Sequence, residues 1–336
     1  MERKILIPRA DGLHSQVIFG SAATLLDGLI PEGTRVIAIA DANIDRCHGE
    51  LLEAYEKIII GQGESVKTLH TVEELLRELV AREADRSTFL LGVGGGIVTD
   101  VTGFVASIYM RGVHFGFVPT TLLAQVDASV GGKNGVNLDG YKNMVGCFNQ
   151  PDFVVCDSSL LASLPDREFR AGLSEMIKAA VIGDEELFEM FENHTFETFR
   201  DDAELLSRAI ERSVRVKAAI VERDEREAGE RRLLNLGHTI GHAIEKSSRQ
   251  MLHGEAVAAG MAVVARWAAE QGICSGECTD RICSVLERYG LPVGSPVEPN
   301  ALRKAITRDK KRRGNRLALV VPVRIGECRI EMVDMD

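Results

Sequence analysis

Two histidines four residues apart are the first feature of this sequence that could do chemistry. His238 and His242 lie in LLNLGHTIGHAIE, a stretch that otherwise has the pattern of a helix. Residues four apart share one helix face, so both imidazoles would point into one volume, as in the zinc-binding H-E-x-x-H helix. Thr239 follows the first histidine where that motif has Glu, and a histidine on a partly apolar helix is often only a hydrogen-bonded core residue. The spacing leaves open whether both, one or neither binds a metal.

Other metal-ligating side chains occur in two further stretches. GLSEMIKAAVI places Glu175 and Lys178 three residues apart on an otherwise apolar helix, where a simple surface ion pair would explain them but the apolar neighbours indicate partial burial. LHGEAVAAGM places His253 just before a very apolar helix, which is a poor position for a solvated histidine. Glu175, His238 and His253 therefore form a possible Glu/His/His set, which suits a zinc site with one open position.

A glycine-rich turn indicates a possible phosphate site. In LGVGGGIVTD, residues 91–100, four glycines fall in five positions before a helix, so that backbone N–H groups and the helix N-terminus could approach phosphate. The G-x-G-x-x-G fingerprint is not met, because Ile97 holds its third glycine position, and packing explains such a turn equally well. Two other strand ends carry polar side chains, namely Asp41, Asn43, Thr120, Thr121 and Asp127. Because ligands of open α/β sheets bind at the carboxyl ends of strands, these segments can converge on one nucleotide.

Residues 129–151 are the least core-like part of the chain. SVGGKNGVNLDGYKNMVGCFNQP sets Lys133, Lys142 and Asn143 among glycines and small residues. One interpretation is a flexible surface loop. The other is an anion site, in which the ammonium groups act as point charges and glycine permits close approach.

The sequence pattern predicts two different types of secondary structure in the two halves of the chain. Short apolar runs at 35–41, 57–61, 88–96 and 114–121, with an amphipathic helix at 72–84 between them, predict a mostly parallel sheet covered by helices. After a strand at 153–157, long amphipathic stretches predict helices around 168–194, 202–227, 235–247 and 254–271. We therefore expect an α/β domain at 1–164, a mainly α-helical domain at 165–336 and a small hairpin near the C-terminus.

Composition excludes several classes of function. The 336 residues carry a net charge of −10, which disfavours binding to nucleic acid or to acidic membranes, so an anionic ligand must meet a local cationic pocket. The seven cysteines are odd in number and form no CxxC pair, as is typical of reduced thiols. The start of the sequence lacks the apolar segment of a signal peptide, and no run of 18 apolar residues occurs. We expect a cytoplasmic protein.

The order of the motifs resembles the 3-dehydroquinate synthase family. GGGIVTDVTGF, VPTTLLAQVDASVGGKNGVN, YKNMVGCFNQP, GLSEMIK, LLNLGHTIGHAIE, LHGEAVAAGM and RDKK carry the resemblance, from about residue 35 to 326. It implies an NAD-binding Rossmann-like domain, a helical domain for metal and substrate, and a homodimer. It also implies conversion of 3-deoxy-D-arabino-heptulosonate 7-phosphate to 3-dehydroquinate and phosphate, in the shikimate pathway, with catalytic NAD and zinc or cobalt.

The resemblance implies a role for individual residues. The metal ligands would be Glu175, His238 and His253. His242 would stay free for the substrate, so that the phosphate-binding positions are Lys133, Asn143, His242 and, from the partner subunit, Arg111. The carboxylate end and ring hydroxyls would meet Lys142, Lys217, Arg231 and Asn235. Asp127 and Lys178 would lie around the oxidised carbinol, and Lys310 or Lys311 would close over the substrate. The NAD positions would be Asp41, Asn43, Glu64, Lys67, Gly94, Gly95, Gly96, Asp100, Thr120 and Thr121, together with Lys133 and Lys142.

Three alternatives stand beside this interpretation. A related sugar-phosphate cyclase would share fold, cofactor and metal, but such enzymes tend to change the residues that are retained here as Arg231, Asn235, His242 and Asn143. A metal-dependent alcohol dehydrogenase of the glycerol-dehydrogenase type has a similar two-domain plan but would release reduced cofactor. A catalytically silent scaffold is disfavoured by the full ligand set. Tyr141 stands directly before Lys142, where many relatives have glycine, and could reshape the anion loop.

Overall fold

Short apolar and β-branched runs form the central sheet of the first half of the chain. The computed structural model describes residues 3–248, 250–297, 312–313 and 316–334. Two compact units, Met1–Leu164 and Pro165–Asp336, make up the chain. The strands of the first unit are β1 (Arg3–Pro8), β2 (His14–Phe19), β3 (Val36–Asp41), β4 (Glu56–Ile60), β5 (Phe89–Gly94), β6 (Phe115–Pro119), β7 (Lys133–Leu138), β8 (Tyr141–Phe148) and β9 (Phe153–Cys156).

Four helices cover this sheet: α1 (Ala22–Leu29), α2 (Ala42–His48), α3 (Leu69–Ala81) and α4 (Gly96–Ile108). Helix α3 begins three residues before the predicted position, because the side chain of Thr68 caps it by accepting from the Thr71 N–H. Short 3-10 turns lie at Gly49–Leu52, Glu64–Val66, Tyr109–Arg111 and Ser158–Ser163, and a π-helical turn lies at Ala124–Ala128.

The sheet has seven strands in the order β1-β2-β9-β6-β5-β3-β4. Only the β1–β2 pair is antiparallel; every other neighbouring pair is parallel. The carboxyl ends of β6, β5, β3 and β4 therefore lie side by side at one edge, which is where open α/β sheets bind ligands. The N-terminal hairpin of β1 and β2 was not among the predicted strands.

The glycine-rich segment at 129–151 is an ordered hairpin. Strands β7 and β8 pair antiparallel, with Lys133 opposite Phe148 and a register shift between Val136 and Leu138. The tight approach at Gly146, where a Cβ would lie 2.2 Å from the Asn134 carbonyl oxygen, explains one of its glycines. The interpretation as a loop without regular structure is therefore wrong, because backbone pairing compensates for the scarcity of apolar side chains.

The second unit is mainly helical, which confirms the predicted fold class. Its helices are α5 (Asp166–Gly183), α6 (Glu185–Asn193), α7 (Phe196–Asp201), α8 (Ala203–Arg223), α9 (His238–Ser247), α10 (His253–Glu270) and α11 (Gly276–Arg288), with a 3-10 turn at Glu230–Asn235. The C-terminal hairpin pairs β11 (Arg316–Arg324) with β12 (Glu327–Asp334), and the short strand β10 (Arg312–Arg313) pairs with β11. Among the described residues, no helix has both the length and the apolar composition needed to cross a membrane.

The predicted helices of the second unit differ in their bounds from those observed. The helix predicted at 202–227 ends at Arg223, with Asp224 as its C-cap. The stretch predicted at 168–194 is two helices, because Asp184 leaves the helical conformation and caps α6 by accepting from the Leu187 N–H. The helix predicted from residue 235 begins at His238, since Gly237 adopts a left-handed conformation with φ of 75°. That glycine places His238 in the first turn of α9.

Candidate functional site

Three helices of the second unit bring the predicted metal ligands together. Glu175 lies within α5, while His238 and His253 are the first residues of α9 and α10. Glu175 Oε1 is 3.7 Å from Nε2 of His238 and 3.7 Å from Nε2 of His253. One ligand atom from each residue lies within 4.8 Å of the others. Bonds of about 2.1 Å to a tetrahedral ion separate neighbouring ligand atoms by roughly 3.4 Å, so the cluster has the dimensions of a metal site.

Glycines allow these helices to approach closely enough. A Cβ at Gly260 of α10 would lie 2.1 Å from the Gly237 carbonyl oxygen, just before α9. A Cβ at Gly254 would lie 2.0 Å from the Ala171 carbonyl oxygen of α5. Any larger residue would push the backbones apart. The glycines therefore set the separation of the helices that carry the three ligands.

Glu175 is the most deeply buried side chain of this cluster. Its side chain is 1% exposed, and that of Lys178, one turn later, is 3% exposed. The ammonium of Lys178 forms an ion pair with Oε2, but among the described residues neither carboxylate oxygen accepts a hydrogen bond. A buried carboxylate oxygen without a donor is costly, and a metal cation on Oε1 would compensate for that cost.

Oxygen atoms orient the two imidazoles that face Glu175. His238 Nδ1 lies 3.1 Å from the Leu236 carbonyl oxygen, to which it can only donate, so the lone pair is left on Nε2. His253 Nδ1 lies 3.5 Å from Glu245 Oε2. In both residues the nitrogen that faces Glu175 is Nε2, and the other nitrogen faces an oxygen, as is usual for metal-bound histidine. The donor set and its surroundings thus fit a divalent metal.

His242 lies beside the Glu175 set but is not one of its three members. Its ring centroid is 5.4 Å from that of His238 and 5.8 Å from that of His253, so all three imidazoles share one region. Among the described residues, two groups could hold a metal ion: Glu175 with His238 and His253, and His242 with Glu245 and His253, so that His253 is common to both. The spacing of four residues thus places both histidines near the cluster but only one of them against Glu175.

Arg231 and Asn235, two predicted substrate-binding residues, lie in a turn that the Asp224 carboxylate caps. Arg231 and Asn235 lie in the 3-10 turn, while Lys217 lies on α8; Arg231 and Lys217 are buried. Asp224 accepts backbone hydrogen bonds from Ala228, Gly229 and Arg231 at 2.7–3.0 Å. Burial raises the pKa of Asp224, but these N–H donors outweigh it and hold that pKa below its usual range.

In the first unit, the predicted nucleotide-binding segments follow four neighbouring strands. Gly95 caps α4 directly after β5, and Thr120 follows β6, its N–H donating to the Gly94 carbonyl at 2.9 Å. The carboxylate of Asp41, at the end of β3, caps α2 by accepting from Asn43 and Ile44 through Oδ1. Helix capping alone would explain Asp41. The shared edge of β6, β5, β3 and β4 nevertheless places these segments where a nucleotide could meet them all.

A polar network joins this edge to the hairpin of β7 and β8. The ammonium of Lys67, which is buried, forms an ion pair with Asp100 and donates to Asn143 Oδ1 at 2.6 Å. Asn137 Nδ2 donates to Glu64 Oε1 at 2.8 Å, and its Oδ1 accepts from the Asn143 N–H at 2.9 Å. The predicted cofactor and phosphate residues of this unit are therefore in direct contact.

Other predicted residues occupy more open positions. Asp127 lies half-buried in the π-helical turn, a geometry often found at functional sites. Lys133, Lys142 and Arg111 are exposed, and Arg111 adopts a φ of 69°. Lys310 and Lys311 lie outside the described residues.

Sequence reasoning missed three polar residues of the site. Glu245 follows His242 by three positions on α9, a helical spacing that could have indicated it. Glu227 accepts from Asn235 Nδ2 at 2.6 Å, and Asn137 supports Asn143. No local pattern identifies these last two, because their contacts depend on how a turn and a hairpin fold.

Two family models and similar proteins agree with this arrangement. Models described as 3-dehydroquinate synthase N-terminal and C-terminal match residues 57–171 and 172–312. The 3-dehydroquinate synthase of Halorhodospira halophila is 43% identical over 327 residues, covering 94% of this chain and 92% of that protein.

Solved structures of related enzymes share the whole fold. A 2-deoxy-scyllo-inosose synthase, solved with carbaglucose-6-phosphate, NAD+ and Co2+, is 26% identical with a TM-score of 0.89, over 99% of this chain and 97% of the other. The 2-epi-5-epi-valiolone synthase of Streptomyces hygroscopicus, solved with NAD+ and Zn2+, is 29% identical with a TM-score of 0.86, over 96% and 93%. The two family models together span most of the sequence, and they meet within α5, between residues 171 and 172. This chain belongs to the 3-dehydroquinate synthase family.

Proposed function

We propose that this chain converts 3-deoxy-D-arabino-heptulosonate 7-phosphate to 3-dehydroquinate and phosphate. The observation that carries the proposal is the buried Glu175 carboxylate, which faces Nε2 of His238 and of His253 in a chain 43% identical to a synthase of that name. A carboxylate and two imidazoles supply three protein ligands, the usual number in catalytic zinc sites.

Zinc or cobalt would be held by Glu175, His238 and His253, and NAD by the first unit. The NAD-binding residues would be Asp41, Asn43, Glu64, Lys67, Gly94, Gly95, Gly96, Asp100, Thr120 and Thr121, with Lys133 and Lys142 nearby. When bound, the metal would supply polarisation of the substrate's carbinol hydroxyl and NAD would supply an acceptor for hydride from the carbinol carbon, so that the resulting ketone makes the neighbouring C–H acidic.

The protein's own side chains would supply orientation and charge. His242, Lys133 and Asn143 would hold the phosphate, which can itself take the proton as it leaves. Buried cations hold a carboxylate more firmly than exposed ones, because water does not screen them. Burial thus favours Lys217 and Arg231 for the carboxylate end, and we assign the ring hydroxyls and the rest of that end to Asn235 and the exposed Lys142. Lys178, paired with Glu175, and Asp127 would lie near the carbinol.

A second copy of the chain would complete the phosphate site through Arg111. Five large hydrophobic side chains close to it in sequence or along β8 are exposed, at 43–57%: Ile108, Met110, Tyr141, Met144 and Phe148. The Asn149 side chain donates to Ser107 Oγ at 2.9 Å, which holds the end of β8 against the end of α4. An exposed apolar patch of this kind favours association. We propose a homodimer in which Arg111 crosses to the partner.

Phosphate release tests the proposed reaction. Purified protein with NAD and zinc should release phosphate from 3-deoxy-D-arabino-heptulosonate 7-phosphate without net formation of reduced NAD, and a chelator should abolish the release. Glu175→Gln, which keeps the shape of the side chain but removes the charge, should lose bound metal and activity together. A Glu189→Gln variant, changed at a carboxylate on α6 outside the cluster, serves as the matched control.

Two outcomes would contradict this proposal. Release of phosphate only from a different sugar phosphate would identify a related cyclase. Steady accumulation of reduced NAD on a polyol would identify a dehydrogenase of the glycerol-dehydrogenase type.

A further inference from the structure

Asn137, which is assigned no role in the proposed reaction, uses its whole amide group to join two parts of the first unit. Its Nδ2 donates to Glu64 Oε1, after β4, and its Oδ1 accepts from the backbone of Asn143, on β8. Its own N–H donates to the Lys67 carbonyl at 2.9 Å, next to a parallel bridge with Thr68. Asn137 therefore holds the hairpin against the segment that follows β4.

The partners determine which way both amide groups point. A carboxylate can only accept and a backbone N–H can only donate, so Glu64 must face Nδ2 of Asn137 while Asn143 N–H faces its Oδ1. An ammonium can only donate, so Lys67 must face Oδ1 of Asn143. The Asn143 amide nitrogen, which is a donor, is therefore the end left to meet an anion.

The backbone at Asn143 requires this support. Its φ is 49°, a left-handed conformation that is unfavourable for residues other than glycine and is tolerated best by Asn and Asp. The hydrogen bond from its N–H to Asn137 and the bond from Lys67 to its side chain fix that conformation. Without Asn137, the Asn143 backbone N–H would lose the side-chain acceptor that the network gives it.

We propose that Asn137 is a positioning residue that couples occupation of the NAD site to the anion-binding conformation of Asn143. The coupling runs from Glu64 and Lys67, through the Asn137 side chain and backbone, to Asn143. Each ligand would then favour the conformation that the other requires, so each should tighten binding of the other. The inference rests on the proposed function, because that function assigns Glu64 and Lys67 to NAD and Asn143 to phosphate.

Calorimetric titration of NAD into the zinc-loaded full chain, with and without inorganic phosphate, tests the coupling without turnover. Phosphate should lower the dissociation constant of NAD at least about fivefold in the unmodified protein, and less than about twofold in Asn137→Ala. Leu138→Ala, the next residue on β7 and half-exposed, is the matched control and should keep the full effect. Bound zinc should be unchanged in both variants, because its ligands lie in the other unit.

A reversed hydrogen bond provides the rescue. Asn137→Asp keeps the acceptor for Asn143 but sets two carboxylates against each other, so coupling should fall. Adding Glu64→Gln restores a donor and an acceptor with exchanged roles, and coupling should recover relative to Asn137→Asp. Comparison of Asn137→Asp with the double variant also tests the coupling if Asn137→Ala does not fold.

Three results would overturn the inference: full coupling in Asn137→Ala, no coupling in the unmodified protein, or no recovery in the double variant. The proposed reaction fails separately, through absence of phosphate release in the unmodified protein. In that case the response of NAD binding to phosphate still decides the role of Asn137.

Discussion

Glu175 is a buried charge with several charged or polar neighbours: its carboxylate lies among helices with Lys178 on one side and two imidazoles on the other. A buried charge is stable only when its neighbours replace water completely. Lys178 forms an ion pair with Oε2, and a metal ion would neutralise the charge from the side of Oε1. The ion pair and the metal site are therefore one electrostatic unit, in which each cation compensates for part of the same charge.

Alanine at each of the two α9 histidines should have different effects. His238→Ala removes a side chain that faces Glu175, so we expect zinc affinity to fall at least about 100-fold and activity to fall with it. His242→Ala should keep stoichiometric zinc but lower kcat/KM about 100-fold, because the phosphate loses a partner. Elemental analysis of folded variants measures the first effect and steady-state kinetics the second. Equal loss of zinc in both variants would show that both histidines are ligands.

Removing the ammonium of Lys178 should destabilise the metal-free protein more than the zinc-loaded one. Lys178→Met keeps much of the side-chain volume but leaves Oε2 without its cation, which we expect to cost about 3 kcal/mol in the absence of metal. Bound zinc should reduce the difference, since it neutralises the same carboxylate. Chemical unfolding with and without zinc measures both values, and an equal loss in the two states would contradict the argument.

Residue types and spacing predicted which residues could do chemistry. They predicted less well how those residues contact one another. Glu175, His238 and His253 are polar residues in unusually apolar segments, and this contrast can be read from the sequence alone. Asn137 and Glu227 stand in ordinary polar segments, so nothing local distinguishes them. Their importance comes from partners that the fold brings close, which a single sequence does not encode as a pattern.

At the scale of elements, glycine contacts determine how α5, α9 and α10 meet. We expect Gly254→Ala to lower zinc affinity and thermal stability together, because its Cβ would lie 2.0 Å from the Ala171 carbonyl oxygen and force α10 away from α5. Gly276→Ala, in the first turn of α11 with no atom within 4 Å of the added Cβ, should leave both unchanged. Metal titration and thermal unfolding measure the two effects, and unchanged zinc affinity in Gly254→Ala would exclude this role.

The turn between α8 and α9 should depend on ionised Asp224. Its folded-state pKa lies below the usual value, so its contribution to stability is present above that usual value, about 3.9, and is lost as the pH falls through the folded pKa. Asp224→Asn should raise the KM near neutral pH, because Arg231 and Asn235 lose their anchored turn. The stability difference between Asp224→Asn and the unmodified protein should shrink as the pH falls below about 4. A stability difference that stays constant across this pH range would show that the turn does not depend on ionised Asp224.

Periodicity predicted most elements but not the two hairpins of the first unit. The parallel strands are continuous apolar runs, and the helices carry a clear apolar face, so both could be predicted from the sequence. Strands β7 and β8 are rich in glycine, lysine and asparagine, and β8 is largely exposed. Their pairing depends on contacts with α4, and such tertiary packing overrides the weak strand preference of the sequence.

At the scale of the whole molecule, mixed dimers test whether Arg111 acts in the partner's site. Arg111→Ala and Glu175→Ala should each be inactive alone. After random reassociation of equal amounts, half of the dimers should be mixed and each should carry one complete site, which gives about a quarter of the unmodified activity. Arg111→Ala that is dissociated and reassociated alone is the control, and it should stay inactive. Failure to recover activity, with mixed dimers demonstrated, would place Arg111 in its own subunit's site or outside it.

The convergence of α5, α9 and α10 on one cluster has a consequence for the lifetime of the protein. An ion bound there would act as a cross-link between segments separated by many residues, and ligands that bind only the folded state add about 2.7 kcal/mol of stability at 100 times their dissociation constant. Its ligands all come from the second unit, so zinc scarcity should expose that unit to proteolysis first. The supply of zinc would then govern how long the enzyme survives as well as how fast it works.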